Sequence, residues 1–328
     1  MDTESDFPTF PLTLLPNEII KVVLEKVDWA TLYNLRLVSR FFNEMILRDF
    51  NRFNKPKMNE FKVYSQYEDN GKIKIRYFII CELGKKKIER LYSNEDERDV
   101  LVEEYLNKVN MKHIKNFDIA VNNYSPLFKI IIDSFDYGTS VENFYFIINN
   151  SPIFMDFYNF LKKLNYIGHI YANKLCLSHP EIPQNISLPI LHTLRHLFIV
   201  ECECTKFINR TMINNLFKYN KYLNALAIYS KTTSFEEDII RNIKRRHDKC
   251  THEPNNHKET TINLARRSDY NKEREFHRFF PCGTYPMSLD LPIFNSIKVN
   301  KKCNECNCNN GISIYFLHMD GYMKHSYS

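Results

Sequence analysis

Ile114-Lys-Asn-Phe117-Asp-Ile119-Ala-Val-Asn122 and Val141-Glu-Asn-Phe144-Tyr-Phe146-Ile-Ile-Asn149 are two copies of one pattern, apolar-x-x-apolar-x-apolar-x-x-Asn. Within each copy the alternation of apolar and other residues is that of a half-buried strand. Three further stretches keep the spacing: Ala172-x-x-Leu175-x-Leu177, Leu194-x-x-Leu197-x-Ile199-x-x-Cys202 and Leu223-x-x-Leu226-x-Ile228. The five starts are separated by 27, 31, 22 and 29 residues. Residues 153–167 carry Phe154, Phe157, Leu161 and Leu164 at helical spacing, and residues 208–222 do the same with Met212, Leu216 and Phe217. A strand, a helix and a second strand in the same sense need a crossover, so the repeat implies a parallel sheet with helices along one face. The fold class read from this half is α/β.

This half is similar to leucine-rich repeats, whose strand consensus is L-x-x-L-x-L-x-x-N/C in units of about 20–29 residues. The likeness is degenerate. Asn122 and Asn149 close two units and Cys202 a third, while the third and fifth units in chain order end in neither residue. It implies a solenoid, with a plain α/β layer of the same spacing as the alternative. Either form leaves one strand face open. The residues between the motif hydrophobics, namely Lys115, Asp118, Asn143, Tyr145, Arg195 and Phe198, are the candidate substrate-binding positions.

Residues 12–48, LTLLPNEIIKVVLEKVDWATLYNLRLVSRFFNEMILR, read as three short helices. Leu15, Ile19, Val23 and Val27 recur every four residues, with Ile20 and Leu24 widening the stripe. Pro16 suits a first helical turn, with Asn17 or the backbone before it as the cap. Asp28 is placed to cap a helix carrying Leu32, Leu35 and Val38, and Ser39 to cap one carrying Phe42, Met45 and Ile46. So small a unit cannot enclose that many large apolar side chains by itself. Some must pack on a later part of the chain or on a second protein.

Leu15-Pro16-x-Glu18-Ile19-Ile20, then Val23-Leu24, then Leu32-x-x-Leu35-Arg36-x-Val38-Ser39-Arg40-x-Phe42 resembles an F-box in order, spacing and residue type. Two positions depart from that family's pattern: Asp28 stands where Pro is common, and Phe42 where Trp is common. Asp still caps and Phe still fills. The resemblance implies docking to the Skp-type adaptor of a cullin-based ubiquitin ligase. Its hydrophobic anchors would be Leu15, Pro16, Ile19, Ile20, Leu24, Leu35, Val38 and Phe42, with the downstream chain choosing a protein substrate. An F-box ahead of a divergent leucine-rich-repeat-like α/β domain is also the layout of nematode F-box families.

The remaining organisation follows from local signals. Residues 1–11 read as a disordered acidic tail, 12–50 as the F-box unit, and 51–109 as a linker holding a β-hairpin and a helix. The hairpin joins Phe61-x-Val63 to the alternating run Ile73–Ile79 across Asn70-Gly71, with a third strand near Ile88–Tyr92. The helix is expected over residues 94–109. Residues 110–328 form the repeat-like domain, with 241–278 read as a basic loop insertion carrying eleven Lys/Arg against six Asp/Glu. Such a segment attracts anionic partners. Nucleic acid is disfavoured, because no basic motif interleaved with aromatics is present. Phe294-x-x-Ile297-x-Val299 and Ile312–Leu317 are expected as closing strands.

Nine cysteines, an odd number, with no signal-peptide pattern at the N-terminus, suggest reduced thiols. Cys303-x-x-Cys306-x-Cys308 has the spacing of half a zinc site, with His318 as a further ligand, but the second close pair that a structural site needs is missing. No metal is expected there. No apolar run approaches the roughly 20 residues that span a bilayer, so a cytoplasmic or nuclear protein without a membrane partner is expected. P-loop, G-x-S-x-G, H-E-x-x-H and dinucleotide glycine patterns are absent from the sequence. The expectation is a non-catalytic ligase adaptor without cofactor. The alternatives are a repeat scaffold that recruits no ligase, or a nucleic-acid-binding module using residues 241–278.

Overall fold

The structure, a computed structural model, describes residues 12–67, 72–82, 84–92, 105–122, 131, 133–151, 153–177, 182–183, 185–202, 204–230, 235–248, 260–266, 278–279, 287–290, 295–302 and 309–318. They form a mixed α/β protein with two large hydrophobic cores and a small third cluster of Val200, Ala227 and Tyr229. The expected tail at 1–11 and the cysteines at 303, 306 and 308 lie outside the described residues, as do positions 94–104 of the helix expected over 94–109. The end of that stretch is a single 3-10 turn, Leu106–Lys108.

The smaller core belongs to three helices, α1 (Asn17–Leu24), α2 (Trp29–Val38) and α3 (Arg40–Arg48). Asp28 caps α2 by accepting from the Thr31 N–H at 3.0 Å and from the Thr31 hydroxyl at 2.9 Å. Ser39 ends α2 in an extended conformation and caps α3 by accepting from the Phe42 N–H. α1 has no side-chain cap; its first amides, from Ile19 and Ile20, donate to the Pro16 carbonyl. Ile20, Leu24, Trp29, Leu32, Phe42, Met45, Ile46 and Phe53 close this core, with Leu15 and Leu35 partly buried beside it.

The larger core lies under a twelve-stranded sheet. Its centre is β4 (His113–Asn122), β5 (Thr139–Ser151), β6 (Leu164–Leu177), β7 (His196–Glu201), β8 (Ala225–Tyr229) and β9 (Thr260–Arg266). Each pairs in parallel with the next, in chain order. β1 (Met58–Tyr67) joins in parallel beyond β4, and β12 (Asn309–His318) in parallel beyond β9. Antiparallel strands complete both flanks: β2 (Ile73–Cys81) and β3 (Gly84–Tyr92) on one, β11 (Asn295–Lys302) and β10 (Met287–Asp290) on the other.

The register explains the core. Phe61, Phe117, Phe144, Ile170, Leu197, Leu226 and Ile262 face one another across successive strands, all buried. Val63, Ile119, Phe146, Ala172, Ile199 and Ile228 make a second buried column. Helices α4 (Phe154–Lys163), α5 (Arg210–Tyr219) and α6 (Glu236–Asp248) pack on these columns through Phe157, Phe160, Met212, Leu216, Ile239 and Ile243, among others. One sheet face is therefore covered by helices, and the other carries the alternate residues. At Gly168 a Cβ would sit 2.9 Å from the Glu142 carbonyl oxygen, so β5 and β6 pack here only with glycine.

The same register corrects one repeat. The third unit starts at Ile167, with Ile170 and Ala172 in the columns, and not at Ala172. The starts then fall at 114, 141, 167, 194 and 223, a more even spacing. The displaced frame arose because Leu175 and Leu177 are also buried, beyond an irregularity that follows Ala172. Two other stretches differ from the sequence reading. Residues 51–109 are no linker, since β1 belongs to the main sheet. Residues 241–278 are not one loop: α6 runs to Asp248, and β9 threads between β8 and β12. Only Ile262 and Leu264 mark β9 as apolar, and its polar flanks conceal them.

Candidate functional site

The open face of the sheet carries two rows of side chains set by the register. The first runs Glu60, Asn116, Asn143, His169, His196 across β1, β4, β5, β6 and β7. It is wired in one direction. His169 Nδ1–H donates to Asn143 Oδ1 at 2.6 Å, Asn143 Nδ2 donates to Asn116 Oδ1 at 3.0 Å, and Asn116 Nδ2 donates to Glu60 Oε1 at 3.3 Å. The His169 and His196 rings stack with centroids 4.2 Å apart.

The second row runs Lys62, Asp118, Tyr145, Tyr171, Phe198. Tyr145 and Tyr171 stack at 4.7 Å, and Phe198 leans on Tyr229 at 5.6 Å. Tyr64 donates its hydroxyl proton to Asp118 at 2.7 Å. Burial pushes the Asp118 carboxyl up from its usual range, and the Tyr64 hydrogen bond and Lys62 only partly offset this. The face thus presents amide, imidazole and carboxylate groups beside flat aromatic surface. That combination suits an extended or looped peptide with mixed polar and apolar side chains.

Of the candidate substrate-binding residues, the structure brings Asp118, Asn143, Tyr145 and Phe198 together in these rows. Lys115 and Arg195 are exposed but come one residue before Asn116 and His196, Arg195 just ahead of β7, and stand beside the rows. His169 and Tyr171 were missed because the third repeat was framed from Ala172, whereas His196 stood in a correctly framed unit beside Arg195 and was passed over. Framed from Ile167, His169 and His196 occupy the same motif position as Asn116 and Asn143.

Desolvation holds His169 and His196 below the ordinary imidazole range, and the neighbouring charge of His196 and Arg195 respectively adds to it. The folded state therefore disfavours protonation relative to the unfolded chain. The contribution is complete above the unfolded pKa and is lost as pH falls through the lowered folded values. Thermal scans at pH 7.5 and 5.5 are expected to show a loss of a few degrees at the lower pH, smaller in His196→Gln. Equal losses in both proteins would remove the stacked pair as the cause.

No family model, curated protein or solved structure matches the chain. The likeness of residues 12–48 to an F-box therefore rests on those residues and on their surroundings.

The anchors carried over from that pattern divide into two groups. Ile20, Leu24 and Phe42 are inside the three-helix core, and Leu15 and Leu35 pack at its margin. Pro16, Ile19 and Val38 are exposed, Ile19 at 49% and Val38 at 79%. Sequence reasoning did not single out Val22, Tyr33, Leu37 and Leu47, which are also exposed, Leu37 at 67%. Ile19, Val22 and Val23 share one face of α1, and Tyr33 and Leu37 one face of α2. Among the described residues, no helix is long and apolar enough to cross a membrane.

Proposed function

We propose that this chain is a substrate-recognition adaptor of a Skp–cullin–F-box-type ubiquitin ligase. Its three-helix unit would bind the Skp-type adaptor, and its open sheet face would take a protein substrate. The observation that carries this reading is the surplus of large apolar side chains on α1–α3. The unit fills its own core and still exposes Ile19, Val22, Val23, Leu37 and Val38, which the twelve-stranded sheet does not cover. So many exposed large apolar side chains on one small unit support a partner site. The in-order parallel strands with helices on one face support a leucine-rich-repeat-like layout for the substrate half. An adaptor needs no catalytic group, because it works by holding substrate at high effective concentration beside the conjugating enzyme.

The nucleic-acid alternative loses ground at α6. Arg241 is engaged by Glu237 at 2.7 Å and by Asp238, and Arg246 donates to the carbonyls of Phe217, Asn220 and Leu223. Arg246 thus closes the C-terminal end of α5, and Arg241 is paired with carboxylates of its own helix, so neither charge is offered alone to a polyanion.

The test is co-expression with a Skp-type adaptor and pull-down of wild type, Leu15→Ala/Pro16→Ala and Leu37→Asp/Val38→Asp. Leu37 and Val38 are exposed, so the charged pair leaves the fold intact. Its capture should weaken by about 30-fold or more if these side chains are central to the contact. A wild-type chain that is not captured, or is captured no better than the charged variant, would sink the proposal.

A further inference from the structure

Three cysteines that no sequence motif links are brought together where β6 and β7 end. Cys176 is the penultimate residue of β6 and is buried; Cys202 directly follows β7, and Cys204 comes two residues later at the surface. Their sulphurs all lie within 4.8 Å of one another, with Cys202 to Cys204 at 2.7 Å and Cys176 to Cys204 at 3.3 Å.

The backbone fixes this arrangement from both sides of Cys176. The Cys202 N–H donates to the Leu175 carbonyl at 3.0 Å, and the Leu177 N–H donates to the Thr205 hydroxyl at 2.9 Å. Thr205 is itself buried and within 3.3 Å of the Leu177 carbonyl. The 202–205 turn is therefore stapled to the end of β6 on either side of the Cys176 side chain. Directly before the turn, Glu201 takes the amides of Phe207 and Ile208 and closes the loop at its far end. Three sulphurs held at one point by an anchored turn are a ligand set prepared in advance.

We infer that Cys176, Cys202 and Cys204 form a three-thiolate site for a zinc ion, independent of the adaptor reading. Sulphur selects soft and borderline cations, and zinc bound by thiolates sits about 2.3 Å from each sulphur in a tetrahedron. Tetrahedral geometry then sets the sulphurs roughly 3.8 Å apart, so the triad opens slightly to admit the ion. The exposed side chain of Cys204 is free to make that movement. Its surface position also leaves the fourth coordination place open to water or to a group from a partner. Binding releases the thiol protons and leaves the sulphurs as thiolates, with no change of oxidation state.

The test uses the full-length chain purified without chelator. Zinc per chain is measured by elemental analysis, and cobalt is then exchanged in to give thiolate-to-cobalt charge-transfer bands and the visible bands of a tetrahedral site. Wild type should hold zinc stoichiometrically and show both sets of bands. Cys204→Ser, a substitution at the surface, should lose the ion and the bands while keeping the wild-type circular dichroism, and Cys202→Ser should do the same. Cys303→Ser/Cys306→Ser should retain the ion, which separates this site from the other cysteine-rich segment. Three results would overturn the inference: a wild-type chain without zinc, zinc retained in both Cys202→Ser and Cys204→Ser, or a disulfide within the triad in peptide maps of freshly purified protein.

Discussion

Replacing Phe117 with alanine lowers the unfolding free energy of the sheet by about 4 kcal/mol, the middle of the range for deleting a large buried ring. Phe117 is fully buried and stands at the junction of four other rings. It stacks on Phe61 at 5.6 Å and on Phe144 at 5.2 Å, both nearly parallel, and tilts against Phe135 and Phe160 at 5.4 and 5.5 Å. Phe61 and Phe144 are strand neighbours on either side, whereas Phe160 comes from α4, so the lost contacts are both in-sheet and sheet-to-helix. A backbone held in register cannot collapse far into the resulting space, which keeps the cost high. Leucine at the same place retains much of the volume and costs less. The readout is urea unfolding by circular dichroism, set against the fluorescence of Trp29. That residue is the single tryptophan of the sequence and belongs to the three-helix core. The circular dichroism midpoint should fall while the Trp29 midpoint holds. An unmoved circular dichroism midpoint would mean that the ring cluster is not the keystone of the sheet.

Glu201→Ala is expected to cost about 3 kcal/mol or more, since it strands two buried amides at once. Glu201 is 4% exposed, and its Oε1 accepts from the Phe207 N–H at 2.7 Å and the Ile208 N–H at 2.6 Å. Burial pushes its carboxyl up to about 7, against the hydrogen bonds from Ser230, Ile208 and Phe207 that favour the charged form. The two amides lie just before Asn209, which caps α5 by accepting from the Met212 N–H at 2.9 Å. The carboxylate therefore sets the direction in which the chain enters that helix. Glu201→Gln keeps an oxygen acceptor in the same place and should lose clearly less. Hydrogen exchange at residues 205–209, measured beside denaturant unfolding, separates the two variants. Equal destabilisation by Ala and Gln would show that the charge, and not the acceptor, is what the fold uses.

Much of the sheet is legible in the sequence. Phe117, Ile119, Phe144, Phe146, Leu197, Ile199, Leu226 and Ile228 repeat with a period that only a parallel arrangement satisfies, and all are buried. The caps at Asp28 and Ser39 are equally plain, because a capping side chain acts on an amide three residues away. What failed did so for want of long-range information. Buried Leu175 and Leu177 imitate the motif five residues late, and the sequence holds no mark of the irregularity that places them. β9 shows two apolar residues in a polar stretch and becomes a strand only because β8 and β12 lie ready on both sides. On α1 the four-residue rhythm of Leu15, Ile19, Val23 and Val27 does not say which side faces inward. The structure turns Ile20 and Leu24 in and leaves Ile19 and Val23 outside. The rows on the open face were half visible, since residues one repeat apart become neighbours only when every repeat is framed correctly.

From β5 to β8 each strand lies against the strand made just before it and the one made just after, and β4 and β9 extend this run at its two ends. Partners are separated by little more than one repeat, except where β9 follows β8 after a longer interval. Contacts so near in sequence carry a small loop-closure cost and allow structure to propagate from one end. A chain emerging from the ribosome can therefore lay down this sheet one strand at a time, each newly finished edge serving as the template for the next. Strands β10 to β12 follow β9 in the chain and cover the edge it leaves, so the growing sheet keeps that edge open to misassociation until they have been made.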